Sequence, residues 1–93
     1  MKEYEELANA IIKSVTDTVG PVALMIANEV PGLTASPYKV TIEGDPVKAI
    51  NMLIEKYVKV IGPSAVTLAK HGAEPILKKN KRLRLPKILK ETR

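Results

Sequence analysis

The chain has no cysteine, tryptophan, phenylalanine or glutamine, and only one histidine. Without cysteine there are no disulfides and no thiolate metal sites, which suits a reducing compartment and makes the cytoplasm the expected location. Tyr4, Tyr38 and Tyr57 are the whole aromatic complement. The core must therefore be aliphatic, and the composition argues against aromatic base-stacking platforms and membrane-anchoring aromatic belts. Long apolar runs are missing too. The longest nearly uncharged stretch, Val19 to Ala27, is about half of what a membrane-spanning helix needs. The opening Met1-Lys2-Glu3-Tyr4-Glu5-Glu6 is acidic and shows no export signal. Absent glutamine with frequent Lys and Glu leans towards an archaeal or thermophile-like composition.

What is present fits one domain of 93 residues with an apolar fraction of 45%. A domain this small has a thin core, so help from a second copy is expected. Charge is unevenly placed. Residues 78–93 hold eight cations against Glu91 alone, a net +7, while the seven cations and nine acids of residues 1–77 give −2. A mildly acidic body with a cationic C-terminal arm points to a polyanionic partner.

Sliding the sequence by 42 positions lays Asn9–Ala27 over Asn51–Ala69. Asn9, Ile12, Gly20, Pro21, Ala23 and Ala27 then match Asn51, Ile54, Gly62, Pro63, Ala65 and Ala69. This predicts a duplicated helix–Gly-Pro–helix unit, over about 3–30 and 45–73, and hence a mainly α fold with four helices in a domain of residues 1–77. In the first unit Tyr4, Leu7, Ala8, Ile11, Ile12, Val15 and Val19 recur at helical spacing and make one apolar face. Gly20 can close that helix in the left-handed region, and Pro21 pre-sets the first turn of the next. Val22 to Ala27 is apolar on every side, which predicts a helix central to the core or to a subunit interface. Val22, Leu24, Met25 and Ile26 are accordingly the candidate interface of a homodimer.

The second unit opens at Asp45-Pro46, a capping carboxylate followed by a residue suited to the first helical turn. Its face is Val47, Ile50, Leu53, Ile54, Tyr57, Val58 and Ile61. Ala65, Leu68, Ala69, Ala73 and Ile76 continue it beyond the Gly62-Pro63 corner, while Gly72 and Pro75 are expected to weaken the helix end. Between the units, Tyr38 to Glu43 alternates and is β-prone, and Ser36-Pro37 suits the turn of a short hairpin with Leu33 to Ala35. An isolated hairpin is marginal, so it should pack on the helices or pair across a dimer.

The Ile61-Gly62-Pro63-x-Ala65 stretch, with the apolar and Lys-bearing helix after it, resembles a short helical segment found in assorted prokaryotic signalling and regulatory proteins. The likeness spans about 20 residues in each unit and belongs to no single family. What it implies is a packing or dimerisation module, and it transfers no catalytic residues.

Motifs for chemistry are sparse. His71 with Glu74 shares a helical face, but without further ligands the pair reads as an ordinary feature near a helix end, and no metal site is expected. Glu3, Glu5 and Glu6 suit the positive end of a helix. Ser14, Ser36 and Ser64 lack a nucleophile elbow, and Gly-Pro is no phosphate cradle because proline removes a needed donor. No cofactor and no enzyme activity are expected.

The arm carries the functional expectation. Lys78, Lys79, Lys81, Arg82, Arg84, Lys87, Lys90 and Arg93 are the candidate contacts to the phosphate backbone of DNA or structured RNA. Arg82 to Leu85 alternates as an extended segment would, and Pro86 permits a last helical turn. Two readings stand side by side: a non-enzymatic nucleic-acid-binding protein with backbone-directed, weakly sequence-specific contacts, or a dimerisation or adaptor module in which the arm is incidental.

Overall fold

The computed structural model describes residues 2–37 and 39–80. They form α1 (Lys2–Val19), α2 (Val22–Ala27), β1 (Leu33–Ala35), β2 (Val40–Ile42), α3 (Pro46–Ile61) and α4 (Ser64–Lys79). Among the described residues the fold is mainly helical, with four helices and one small sheet. No helix of the described residues is long and apolar enough to cross a membrane.

Both helix breaks fall at Gly-Pro. Gly20 has φ +85° and Gly62 φ +103°, backbone conformations open to glycine and strained for other residues. The proline after each has φ near −60° (−60° at Pro21, −59° at Pro63), ready to start a helix. The two corners hydrogen-bond alike. Gly20 N donates to the Thr16 carbonyl and Gly62 N to the Val58 carbonyl, both at 2.8 Å. Ala23 N then reaches the Gly20 carbonyl at 3.1 Å, and Ala65 N the Gly62 carbonyl at 3.0 Å.

Helix α3 starts as its sequence requires. The Asp45 carboxylate accepts from Val47 N at 3.0 Å and Lys48 N at 3.2 Å, satisfying two of the first turn's free donors.

Helix α4 packs along α1. Ala65, Ala69 and Ala73 are fully buried, and the Ser14 hydroxyl donates to the Leu68 carbonyl at 2.9 Å. Small side chains let the two backbones come close. Here the structure departs from the expected weak helix end, because α4 runs through Gly72 and Pro75 to Lys79. Pro75 forgoes a helical hydrogen bond. The packing of Ala73, Ile76 and Leu77 against the core holds the last turns in place.

The β-prone linker is a hairpin. Leu33 pairs with Ile42, Thr34 with Thr41 and Ala35 with Val40, antiparallel. Leu33, Ala35, Val40 and Ile42 are buried and the two threonines are exposed, so the inner face closes the core beside α1 and α2. Helix side chains hold both strands. The Asn28 amide copies a strand neighbour: Oδ1 accepts from Ala35 N at 2.8 Å, and Nδ2 donates to the Ala35 carbonyl at 2.9 Å and the Leu24 carbonyl at 3.0 Å. On the other strand, Ile42 N donates to the Glu5 carboxylate at 3.0 Å. Asn28→Ala is therefore expected to lower stability by about 1–3 kcal/mol, read by urea denaturation. Hydrogen exchange at the Ala35 amide should rise more than elsewhere. Equal exchange in both proteins would refute the edge-holding role.

The core is aliphatic apart from Tyr57. Its largest fully buried members are Tyr57, Leu7, Ile11, Ile50, Leu53, Ile54, Val15 and Val30. The Tyr57 hydroxyl donates to the Ala23 carbonyl at 2.8 Å, tying α3 to α2.

Candidate functional site

Chemistry needs polar groups held together, and the described residues hold few. Apart from the Tyr57 hydroxyl, none of their polar or charged side chains is buried. His71 is exposed on α4, and its neighbour Glu74 faces Lys78 instead, at 3.6 Å. The described residues contain no group of three or more His, Cys, Asp or Glu able to share a metal ion. Ser14 gives its hydroxyl to the Leu68 carbonyl, Ser36 bonds within its own turn at Lys39, and Ser64 is exposed. Burial raises the Tyr57 phenol well above its ordinary pKa of 10.0, which keeps it neutral.

Two of the surface depressions among the described residues lie on the helical body. One, of about 570 Å³, lies on α3 beside Met52, Glu55, Lys56, Val58 and Lys59. The other, of about 270 Å³, lies where Ser36 and Pro37 of the hairpin turn approach α1 and Leu24 of α2. Surface charges and half-buried aliphatic groups line both, and no buried polar atom is aimed into either.

Of the candidate phosphate contacts, Lys78 and Lys79 stand exposed in the last turn of α4. Cations there complement the negative end of the helix. The Lys78–Glu74 pair is largely exposed on both sides and binds Lys78 weakly, so an anion can compete for it. Lys81, Arg82, Arg84, Lys87, Lys90 and Arg93 lie outside the described residues.

The candidate interface residues divide by helical phase. Ile26 is buried in the chain's own core and Leu24 is half-buried. Val22 and Met25 face solvent. Val60, which sequence reasoning passed over, is exposed as well. It belongs to the last turn of an amphipathic helix, where a valine reads as one more apolar face residue. Its counterpart 42 positions earlier is Thr18, and that difference was the available signal.

Comparison with models of known protein families, with curated proteins and with solved structures finds no match.

Proposed function

We propose that this chain is a non-enzymatic, cytoplasmic nucleic-acid-binding protein: a duplicated helix–Gly-Pro–helix body that brings a basic C-terminal arm to a phosphate backbone. The observation that carries the reading is the charge division, +7 over residues 78–93 against −2 over residues 1–77. The position of Lys78 and Lys79 at the end of α4 supports it, because the first cations of the arm are anchored on a packed helix. The matching hydrogen bonds of the two corners support the duplication. Guanidinium forks suit phosphate oxygens better than ammonium groups do, so Arg82 and Arg84 are the first contacts to test. With no Trp or Phe for stacking, recognition is backbone-directed and weakly specific for sequence.

Fluorescence anisotropy against duplex DNA, structured RNA and a polymer without phosphate, at graded salt, tests this. Binding to DNA should weaken with salt at a log–log slope of about −4 to −5 if half to three-quarters of the arm's cations make contact. Arg82→Ala with Arg84→Ala should weaken all sequences about equally. A chain ending at Asn80 keeps α4 whole, so it should fold normally and lose binding. Equal affinity of the truncated and full chains, or no binding by either at low salt, would overturn the proposal.

The second reading, a protein-interaction module, is favoured by a different observation: the apolar side chains of Val22, Met25 and Val60 stand in solvent.

A further inference from the structure

The cationic arm starts from a fixed point. At the end of α4 the Asn80 backbone N and side-chain Nδ2 both donate to the Ile76 carbonyl, each at 3.0 Å. The helix itself is held on the core through the buried Ala65, Ala69 and Ala73. Away from that buried face, Thr67, His71, Glu74 and Lys78 recur at three- and four-residue spacing, and all four are exposed. They make one stripe that faces solvent and runs towards the arm. The Thr67 hydroxyl, a ring N–H of His71 and the Lys78 ammonium are donors suited to phosphate oxygens. Glu74 is the one group of the stripe that repels them.

Glu74 also stands at a boundary in the chain. It is the sole acid of α4, and from Pro75 to Lys90 no acid follows while seven cations do. Its carboxylate lies 3.6 Å from the Lys78 ammonium four residues on, with the Lys78 and Glu74 side chains 75% and 67% exposed. An ion pair so open to water is weak, and α4 does not depend on it, since the opposite face makes the packing. What the pair sets is where the Lys78 charge is directed in the free chain. A phosphate oxygen approaching Lys78 competes with the carboxylate, because both are anionic acceptors for one ammonium. The displaced carboxylate then stays about one helical turn from the bound phosphate, and the two like charges repel.

We propose that Glu74 sets the body-side edge of the phosphate contact. Lys78 exchanges the Glu74 carboxylate for a backbone phosphate on binding, and the released carboxylate holds affinity below what the cations alone would give. This inference rests on the nucleic-acid reading above and extends it from the arm to a described pair on a packed helix.

Fluorescence anisotropy with duplex DNA at one low salt concentration, on wild type, Glu74→Gln, Lys78→Gln and the double variant, forms a cycle that isolates the pair. Glu74→Gln should tighten binding about two- to fivefold. In the Lys78→Gln background the same change should have much less effect, because there is no ammonium to release. Lys78→Gln alone should flatten the log–log salt slope by about 0.9. Circular dichroism should be the same for all four chains, since both side chains are largely exposed. Equal tightening with and without Lys78 would mean that Glu74 acts only through net charge, and no tightening would mean that it does not neighbour the bound phosphate. Either result overturns the assignment and leaves the nucleic-acid reading standing. Absence of wild-type binding at low salt would overturn the nucleic-acid reading itself, and this inference with it.

Discussion

Replacing Tyr57 with alanine is expected to lower the unfolding free energy by about 3–5 kcal/mol, as for other large aromatic-to-alanine changes in cores. The ring is the only aromatic among the fully buried core residues described, and the core it belongs to is otherwise aliphatic. The cavity it leaves cannot close without moving α3 against α2. For a domain of this size, with a total stability of about 5–14 kcal/mol, such a loss lowers the midpoint of urea denaturation substantially, and at the low end of that range removes the folded baseline. Tyr57→Phe keeps the ring and removes only the bond to the Ala23 carbonyl, so it should cost about 1 kcal/mol. The two variants also separate by pH. Burial raises the folded-state pKa of the phenol above its ordinary 10.0, so its contribution is fully present below about pH 10 and is lost above it, as the unfolded chain ionises first. The advantage of wild type over Tyr57→Phe should therefore shrink between about pH 9 and pH 11. A pH-independent difference would mean that the phenol is not held neutral by burial.

Gly72→Ala is the second large effect, and its sign is the informative part. In an isolated helix alanine is favoured over glycine by about 1 kcal/mol. In this protein the substitution should destabilise by about 1–3 kcal/mol. A Cβ at Gly72 would lie 2.6 Å from the Ala10 carbonyl oxygen and 2.8 Å from the Ser14 Cβ. These are backbone and first side-chain atoms of α1, which cannot rotate aside. Relief requires α4 to move off α1, loosening the packing of Ala69 and Ala73 and the Ser14–Leu68 hydrogen bond. Thermal denaturation reads the outcome, and a rise in melting temperature would show that the two helices pack less closely than the structure indicates.

These two residues mark where reading from sequence stops. Tyr57 was legible as one more apolar-face residue, because its spacing from Leu53, Ile54 and Ile61 is helical. Its hydroxyl partner, 34 positions away, was not, since no local pattern encodes a bond between helices. Gly72 looked like a weak point near a helix end, which is what intrinsic propensity makes of glycine. Contact with α1 turns it into the residue that permits close packing. The same limit applies to the candidate interface. Sequence showed an all-apolar segment at Val22 to Ala27, but only the helical phase within the fold separates Val22 and Met25 outside from Ile26 inside.

The sequence by itself determined the local breaks and starts. Gly20 and Gly62 adopt backbone angles open to glycine, Asp45 caps the helix beginning at Pro46, and the alternation around Thr41 suits a strand. Each of these depends on a few adjacent residues and on steric or hydrogen-bonding preferences that act within one turn of chain. It also determined the charge division on which the proposed function rests, which is a count of side chains. The tertiary structure alone decided how far α4 continues past Pro75, which side chains hold the hairpin, and which apolar residues of α2 and α3 face solvent. Those outcomes depend on contacts between residues far apart in the chain, where packing energy summed over several side chains exceeds the fraction of a kilocalorie to few kilocalories by which local propensity prefers one conformation.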